Sequence, residues 1–131
     1  SLTLMFQKEV GDRILAVPGT KDYGRISVIS QLQCEVIKLF DLPPTCFVPA
    51  PKIWSSVLLF KPKAEAYSKD VLDKVEMLTG LSFGQRRKMI RQSLKSVKGI
   101  FEIFEELNIN PELRAENLTP EQYLDIAKRL I

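Results

Sequence analysis

Three stretches of this 131-residue chain carry residue types at spacings that could do chemistry. The first is Phe47-Val-Pro-Ala-Pro-Lys52, which follows Pro43 and Pro44. Pro49 and Pro51 stiffen the backbone, and Phe47 sets an aromatic ring on that stiff loop. A rigid ring can stack an extruded nucleobase, as base-modifying enzymes require. The same ring could plug the core beneath a proline-rich connection. The second stretch is Gly84–Lys98, which holds Arg86, Arg87, Lys88, Arg91, Lys95 and Lys98 and no acid. Wound as a helix at ~100° per residue, it puts Phe83, Ile90, Leu94 and Val97 on one apolar stripe. Arg87, Lys88, Arg91, Lys95 and Lys98 then fall on a neighbouring arc. Such an arc presents cations side by side to a phosphate track; its plainer reading is a solvated helix face. The third stretch is Gln7–Arg13, where Lys8 with Asp12 and Glu9 with Arg13 form i,i+4 pairs of opposite charge. Those pairs stabilise a helix, and they could also mark a strand-to-helix corner beside an active site.

Other chemistries are excluded by what these residues lack. There is no histidine and there are two cysteines, Cys34 and Cys46, whose spacing matches no metal site. Zinc catalysis, a Ser-His-Asp triad and a Cys-His pair therefore have no residues to use here. Both cysteines are expected to be buried small hydrophobes in a reducing compartment, and the expected location is cytoplasmic. The six glycines form neither a G-x-G-x-x-G turn nor a phosphate-binding loop, so no cofactor-binding residue is expected in this chain. A net charge of +3 gives little general attraction to nucleic acid, and the basic character is a local patch. Hydrophobic residues at 45% and charged residues at 27% suit a globular protein, and no uncharged run approaches a membrane span.

The elements that must position these stretches follow from periodicity. Leu2, Leu4 and Phe6 predict a short buried strand. A helix begins near Lys8 and runs to Ala16, with Val10, Ile14 and Leu15 on one face. Val17–Gly24 is a loop by its Pro18, Gly19 and Gly24, and Ile26–Cys34 is a second helix. Glu35–Leu42 is extended, and Ile53–Phe60 is a buried strand. From Lys61 the period changes. Val71, Leu72, Val75 and Leu78 predict a helix over Ser68–Leu78. Ser82–Phe83–Gly84–Gln85 fits a capping box opening a basic helix to about Val97. Gly99 precedes a helix Ile100–Leu107, Asn110–Pro111 starts a short helical turn, and Thr119–Pro120–Glu121–Gln122 caps a last helix to about Leu130.

Taken in order, these segments resemble one family, the small-subunit ribosomal RNA adenine N6-dimethyltransferases. Leu4-Met-Phe-Gln-Lys-Glu-Val-Gly-Asp-Arg13 is similar to its L-x-x-Q-K-E-V-x-x-R segment, and Tyr23-Gly-Arg-Ile-Ser-Val28 to its Y-G-R-L-S-V helix start. Pro43-Pro-Thr-Cys-Phe-Val-Pro-Ala-Pro-Lys52 resembles its P-P-x-x-F-x-P-P-P-K loop. Phe83-Gly-Gln-Arg-Arg-Lys-Met-Ile-Arg91 with Ser93–Leu94 resembles F-x-x-R-R-K-x-x-R-N-S-L, and Arg114-Ala-Glu-Asn-Leu118 resembles R-A-E-x-L. The departures are Trp54 for an acid, Ala50 for a proline and Gln92 for an asparagine.

The resemblance implies an α/β part at residues 1–62, the last strands and helices of an S-adenosylmethionine-dependent methyltransferase sheet, followed by an all-α domain at 63–131. It implies that the glycine-rich cofactor loop, the acidic ribose-binding residue and the Asn-Leu-Pro-Tyr catalytic loop precede the first residue here. The chain is then expected to be a C-terminal portion, inactive alone. The whole enzyme would dimethylate two adjacent adenines near the 3′ end of 16S ribosomal RNA within a pre-30S particle, with no membrane and no metal. Phe47 matches the aromatic that stacks on the target adenine. Arg86, Arg87, Lys88, Arg91 and Lys95 are the expected RNA-binding residues. The exposed strand edges predict pairing with a second copy. A rival reading is a non-catalytic RNA-binding, assembly or transcription-factor module of the same family. Another is a DNA-binding domain with Gln85–Leu94 as recognition helix.

Overall fold

The computed structural model describes residues 1–46, 49 and 53–131. Its elements run β1 (Leu2–Gln7), α1 (Lys8–Leu15), α2 (Arg25–Gln33), β2 (Cys34–Leu42), β3 (Ser55–Pro62), α3 (Lys69–Gly84), α4 (Ile90–Ser93), α5 (Ile100–Glu106) and α6 (Pro120–Arg129). The first five are three strands and two helices, in the order strand, helix, helix, strand, strand rather than in strict alternation, and the rest are helical, so the mixed α/β character and the change of period past residue 62 are both observed.

The three strands form one antiparallel sheet in the order β1-β3-β2. Leu4 faces Leu58 across one ladder and Ile37 faces Leu59 across the other. The register of β2 slips between Lys38 and Phe40, which marks a bulge at Leu39. Central β3 buries Ser55–Leu58. It starts two residues later than the apolar run predicts, and beyond its first pair, Gln7 with Ser55, the Lys8 amide still donates to the Trp54 carbonyl at 2.9 Å in the register of the ladder.

Edge strand β1 corrects an expectation of burial. Leu2, Leu4 and Met5 are exposed, since β1 pairs only with β3 among the described residues. The cysteines are corrected as well. Cys46 is exposed and Cys34 half-buried, and both are free thiols.

At the α1–α2 corner the charged residues, the glycine and the polar side chains have separate structural tasks. Both i,i+4 ion pairs form, each at 2.9 Å. Gly11 lets α1 lie against the sheet, because a Cβ there would sit 3.1 Å from Ser56 Cβ. The last carbonyls of an α-helix lack their i+4 amide partners, and that of Arg13 accepts a long 3.4 Å bond from the Ala16 amide at the cap. Ser27 donates to the Arg13 carbonyl. Gln31 Nε2 donates to the carbonyls of Ile14 and Ala16, both at 2.8 Å. Thus α2 closes the end of α1.

The largest correction concerns the basic stretch. It is not a continuous helix, and the capping box at Ser82 does not form. Instead α3 runs unbroken from Lys69 to Gly84, with Ser68 accepting the Val71 amide at its start. The apolar face that includes Val75 and Leu78 continues through Leu81 and Phe83. Ser82 is buried in the last turn of the helix, and its hydroxyl lies 3.1 Å from the Tyr123 hydroxyl. A hydroxyl engaged there cannot cap a new helix. After Gly84 the chain turns, and only Ile90–Ser93 is helical. Asn110–Pro111 likewise makes a turn, with the Asn110 side chain accepting the Glu112 amide at 2.9 Å. The Thr119 capping box does form, with reciprocal bonds of 3.1 and 2.9 Å to Gln122.

One hydrophobic core serves both halves. Tyr23, Val28 and Leu32 from the α/β part pack in the same cluster as Leu78, Ile90, Phe104 and Tyr123.

Candidate nucleic-acid interface

Arg86 organises the surface from below. Phe83 sits between two buried tyrosines, 5.8 Å from Tyr23 and 6.0 Å from Tyr123 between ring centroids. The Tyr23 hydroxyl donates to the Leu118 carbonyl at 2.6 Å, and that of Tyr123 to the Ala115 carbonyl at 2.7 Å. Burial raises both phenol pKa values well above the ordinary tyrosine range, so both are neutral hydrogen-bond donors. The Arg86 guanidinium lies 5.5 Å from the Phe83 ring centroid. It donates to the carbonyls of Tyr23 at 2.7 Å, Thr20 at 3.0 Å and Lys21 at 2.9 Å. It also pairs with Glu116 at 3.3 Å. One side chain thereby joins the loop before α2 to the segment before α6.

With Arg86 turned inward, the rest of the run divides. Arg87, Lys88 and Arg91 line an open groove of about 450 Å³ together with Arg114 and Phe101. Lys95 is exposed in the next turn and does not line that groove. Lys98 lines a different cleft, beside Glu102 and Glu106. The predicted arc of five cations is therefore replaced by a cluster built from two chain segments.

Backbone pairing holds the two segments together. Met89 and Arg114 form an isolated antiparallel bridge. The Ile90 amide donates to the Leu113 carbonyl at 2.7 Å and the Arg91 amide to the Pro111 carbonyl at 3.0 Å. The Arg114 amide donates to Asn117 Oδ1 at 3.0 Å. These bonds place Arg114 opposite Lys88 and Arg91, although 23 positions separate Arg91 from Arg114 in the sequence.

The ion pairs among the described residues engage Lys8, Arg13, Lys38, Arg86 and Arg129. Arg87, Lys88, Arg91 and Arg114 have no carboxylate partner there, and no acid lines their groove. A concave surface with four uncompensated cations concentrates negative potential sources such as phosphates. A second cleft, of about 530 Å³, is lined by Lys21, Asp22, Arg25 and Arg86.

Arg114 and Phe101, with Met89 and Gln92, line the groove without having been binding candidates from the sequence. Arg114 was hidden by distance along the chain. Phe101 had a visible signal, since it stands off the α5 stripe of Ile100, Ile103 and Phe104 and is 54% exposed. Phe47 lies outside the described residues. A recognition helix over Gln85–Leu94 is not formed, because α4 spans only Ile90–Ser93. No group of three His, Cys, Asp or Glu side chains converges as a metal site among the described residues, and no helix is long and apolar enough to cross a membrane.

The sequence matches the family model described as ribosomal RNA adenine dimethylase over residues 1–131. The ribosomal RNA small subunit methyltransferase A of Caulobacter vibrioides is 46% identical over 128 residues, covering 98% of this chain and 49% of that protein. The protein of the same name from Wolbachia pipientis is 44% identical over 132 residues, covering 100% of this chain and 50% of that protein. That from Rhodospirillum rubrum is 44% identical over 125 residues, 95% of this chain and 43% of that protein. The chain thus spans about half the length of these curated relatives. Among solved structures, a dimethyladenosine transferase from Plasmodium falciparum superposes with a TM-score of 0.84 at 25% identity, covering 95% of this chain and 55% of that one. The 23S rRNA methyltransferase ErmE superposes at 0.63 with 22% identity, covering 98% of this chain and 53% of that one, a likeness of fold.

Proposed function

This chain belongs to the ribosomal RNA adenine dimethylase family, and from that premise we propose that it is the C-terminal portion of a small-subunit rRNA adenine dimethyltransferase. The whole protein would transfer methyl groups from S-adenosylmethionine to two adjacent adenines near the 3′ end of 16S rRNA, in the cytoplasm and within a pre-30S particle. The observation that carries the RNA part of this reading is the acid-free groove of Arg87, Lys88, Arg91 and Arg114. Full-chain similarity to proteins named small subunit methyltransferase A supports the choice of RNA.

The described residues offer S-adenosylmethionine no fitting site. Gly19 and Gly99, the two glycines with positive φ, stand alone in separate turns and build no cradle for a nucleoside. The Gly24 amide is already bonded to Ser27 Oγ at 3.1 Å. The methyl donor is therefore assigned to the other half of the protein, and no methyl-transfer step is assigned to residues of this chain. Phe47 is proposed to stack on the target adenine by its match to the family loop. Residues 1–62 are proposed as the end of the methyltransferase sheet and 63–131 as the helical domain, joined by the shared core around Tyr23.

Within this reading the arginines have different tasks. Arg87, Lys88, Arg91 and Arg114 meet phosphates, with Lys95 at the margin. Arg86 shapes the groove by tying Thr20–Tyr23 to Glu116. The test is methylation of small-subunit rRNA by the full-length protein with S-adenosylmethionine, read as N6,N6-dimethyladenine by mass spectrometry. Dimethylation by the full-length protein and none by residues 1–131 is the expected pattern. Transfer by neither would leave the rival reading, a non-catalytic assembly module that uses the same groove.

A further inference from the structure

Phe101 is the least explained residue of the groove. It is an aromatic side chain, 54% exposed, among four cations that have no carboxylate partner among the described residues. Exposing a large apolar ring to water is unfavourable. The fold does not need the ring there, because Ile100, Ile103 and Phe104 already form the buried stripe of α5. The ring is nevertheless held in place. It makes a T-shaped contact with the buried Phe104 ring, with centroids 6.2 Å apart and planes at 86°. Gly99, with φ at +76°, precedes α5 in a left-handed conformation that side chains disfavour.

A ring held on one side, open on the other and flanked by cations is the arrangement that proteins use for unpaired nucleotides. The aromatic face takes a base, and neighbouring Arg and Lys take the phosphates on either side. A double helix cannot use such a platform, because its bases are already stacked. The Gln92 side chain lines the same groove. Its amide offers both a donor and an acceptor to a base edge.

We propose that the groove takes an unpaired RNA nucleotide, from a loop or bulge, with its base stacked on Phe101 and its flanking phosphates against Arg87, Lys88, Arg91 and Arg114. This rests on the RNA reading of the groove and goes beyond it in naming single-stranded character and a stacking residue.

The experiment measures binding of the full-length protein to two RNA hairpins of equal length, one with an unpaired purine bulge and one fully paired. The bulged purine is 2-aminopurine, whose fluorescence falls on stacking. Four proteins are compared: unaltered, Phe101→Ala, Phe101→Trp and Arg87→Ala/Arg114→Ala. Base stacking on an aromatic is worth ~1–3 kcal/mol, so Phe101→Ala should weaken bulged-RNA binding by roughly 5- to 150-fold. Its salt slope should stay unchanged, because no charge is lost. Phe101→Trp should keep the affinity and the quenching. The paired hairpin should be insensitive to both. The double arginine variant should weaken both hairpins and flatten the salt slope. If the arginine variant weakens binding but Phe101→Ala leaves affinity and quenching intact, the stacking proposal is overturned and the groove reading stands. If neither variant changes binding, both fall. Equal loss by Phe101→Ala and Phe101→Trp with no quenching would assign Phe101 to a protein contact, also against the proposal.

Discussion

Replacing Arg86 by alanine should unfold this protein more readily than replacing its neighbour Arg87, although each change removes one positive charge. The size of the difference follows from the contacts of Arg86. A hydrogen bond from a charged donor contributes about 1.5–3 kcal/mol, and the part-buried bond to the Tyr23 carbonyl at 2.7 Å belongs at the lower end of that range. Thr20 and Lys21 are exposed, so water can replace the guanidinium at their carbonyls and each bond adds only a few tenths. The Glu116 pair is about one-third exposed on both sides, and solvent screening leaves it ~0.5 kcal/mol. The contact with Phe83 adds about 0.5–1 kcal/mol. Allowing for non-additivity within one network, the loss should be about 3 kcal/mol. Arg87→Ala should stay within about 0.5 kcal/mol of the unaltered protein. In urea, with a slope of about 2 kcal/mol per M, this places the Arg86→Ala midpoint roughly 1.5 M lower. Arg86→Lys should recover part of the loss, since an ammonium can serve a carbonyl but not the whole fork. Coincident midpoints for Arg86→Ala and Arg87→Ala would refute the division of labour in the basic run.

Three further outcomes are expected. Burial raises the Tyr23 and Tyr123 phenols above their ordinary value of 10.0, so both ionise more easily when unfolded. Their contribution to stability is complete below pH about 10 and lost as pH rises beyond it. Tyrosinate absorbance from these two should therefore appear together with loss of helical circular dichroism, and independent titration near pH 10 would contradict their burial. Gly11→Ala gains about 1 kcal/mol of helix propensity but forces a Cβ to 3.1 Å from Ser56 Cβ. Overpacking of ~1–3 kcal/mol should win, and a rise in the denaturation midpoint would show that α1 does not lie tightly on the sheet. Finally, Leu2, Leu4 and Met5 leave β1 an exposed apolar edge, so residues 1–131 alone should associate as concentration rises. Size-exclusion chromatography giving a concentration-independent monomer would contradict that.

Much of this architecture was legible in the residues. The Lys8–Arg13 pairs, the turn signals at Pro18–Gly24 and the Thr119 box are local, and each has one dominant physical reading. The basic stretch misled because its local signal was ambiguous. Ser82 and Gln85 have capping-box spacing, but Ser82 also continues the buried face of α3, and packing against Tyr123 decides between them. Once α3 extends to Gly84, Arg86 falls in a turn beside the carbonyls of Thr20–Tyr23, which no helical projection could place. Arg114 entered the groove through the Met89 bridge, a long-range pairing with no periodic signature. Leu2 and Leu4 have the alternation of a buried strand. Alternation reports a potential for burial, and what covers a strand is tertiary information.

The most direct test of the central claim is RNA binding by the full-length protein with Arg87 and Arg91 both reversed to glutamate, measured across salt concentrations. Both side chains are exposed and have no carboxylate partner among the described residues, so the fold should keep its stability. If the groove tracks phosphates, affinity for small-subunit rRNA falls, and the salt dependence flattens by about two counterions. Unchanged affinity at low salt with an unchanged slope would mean that RNA does not lie along this groove.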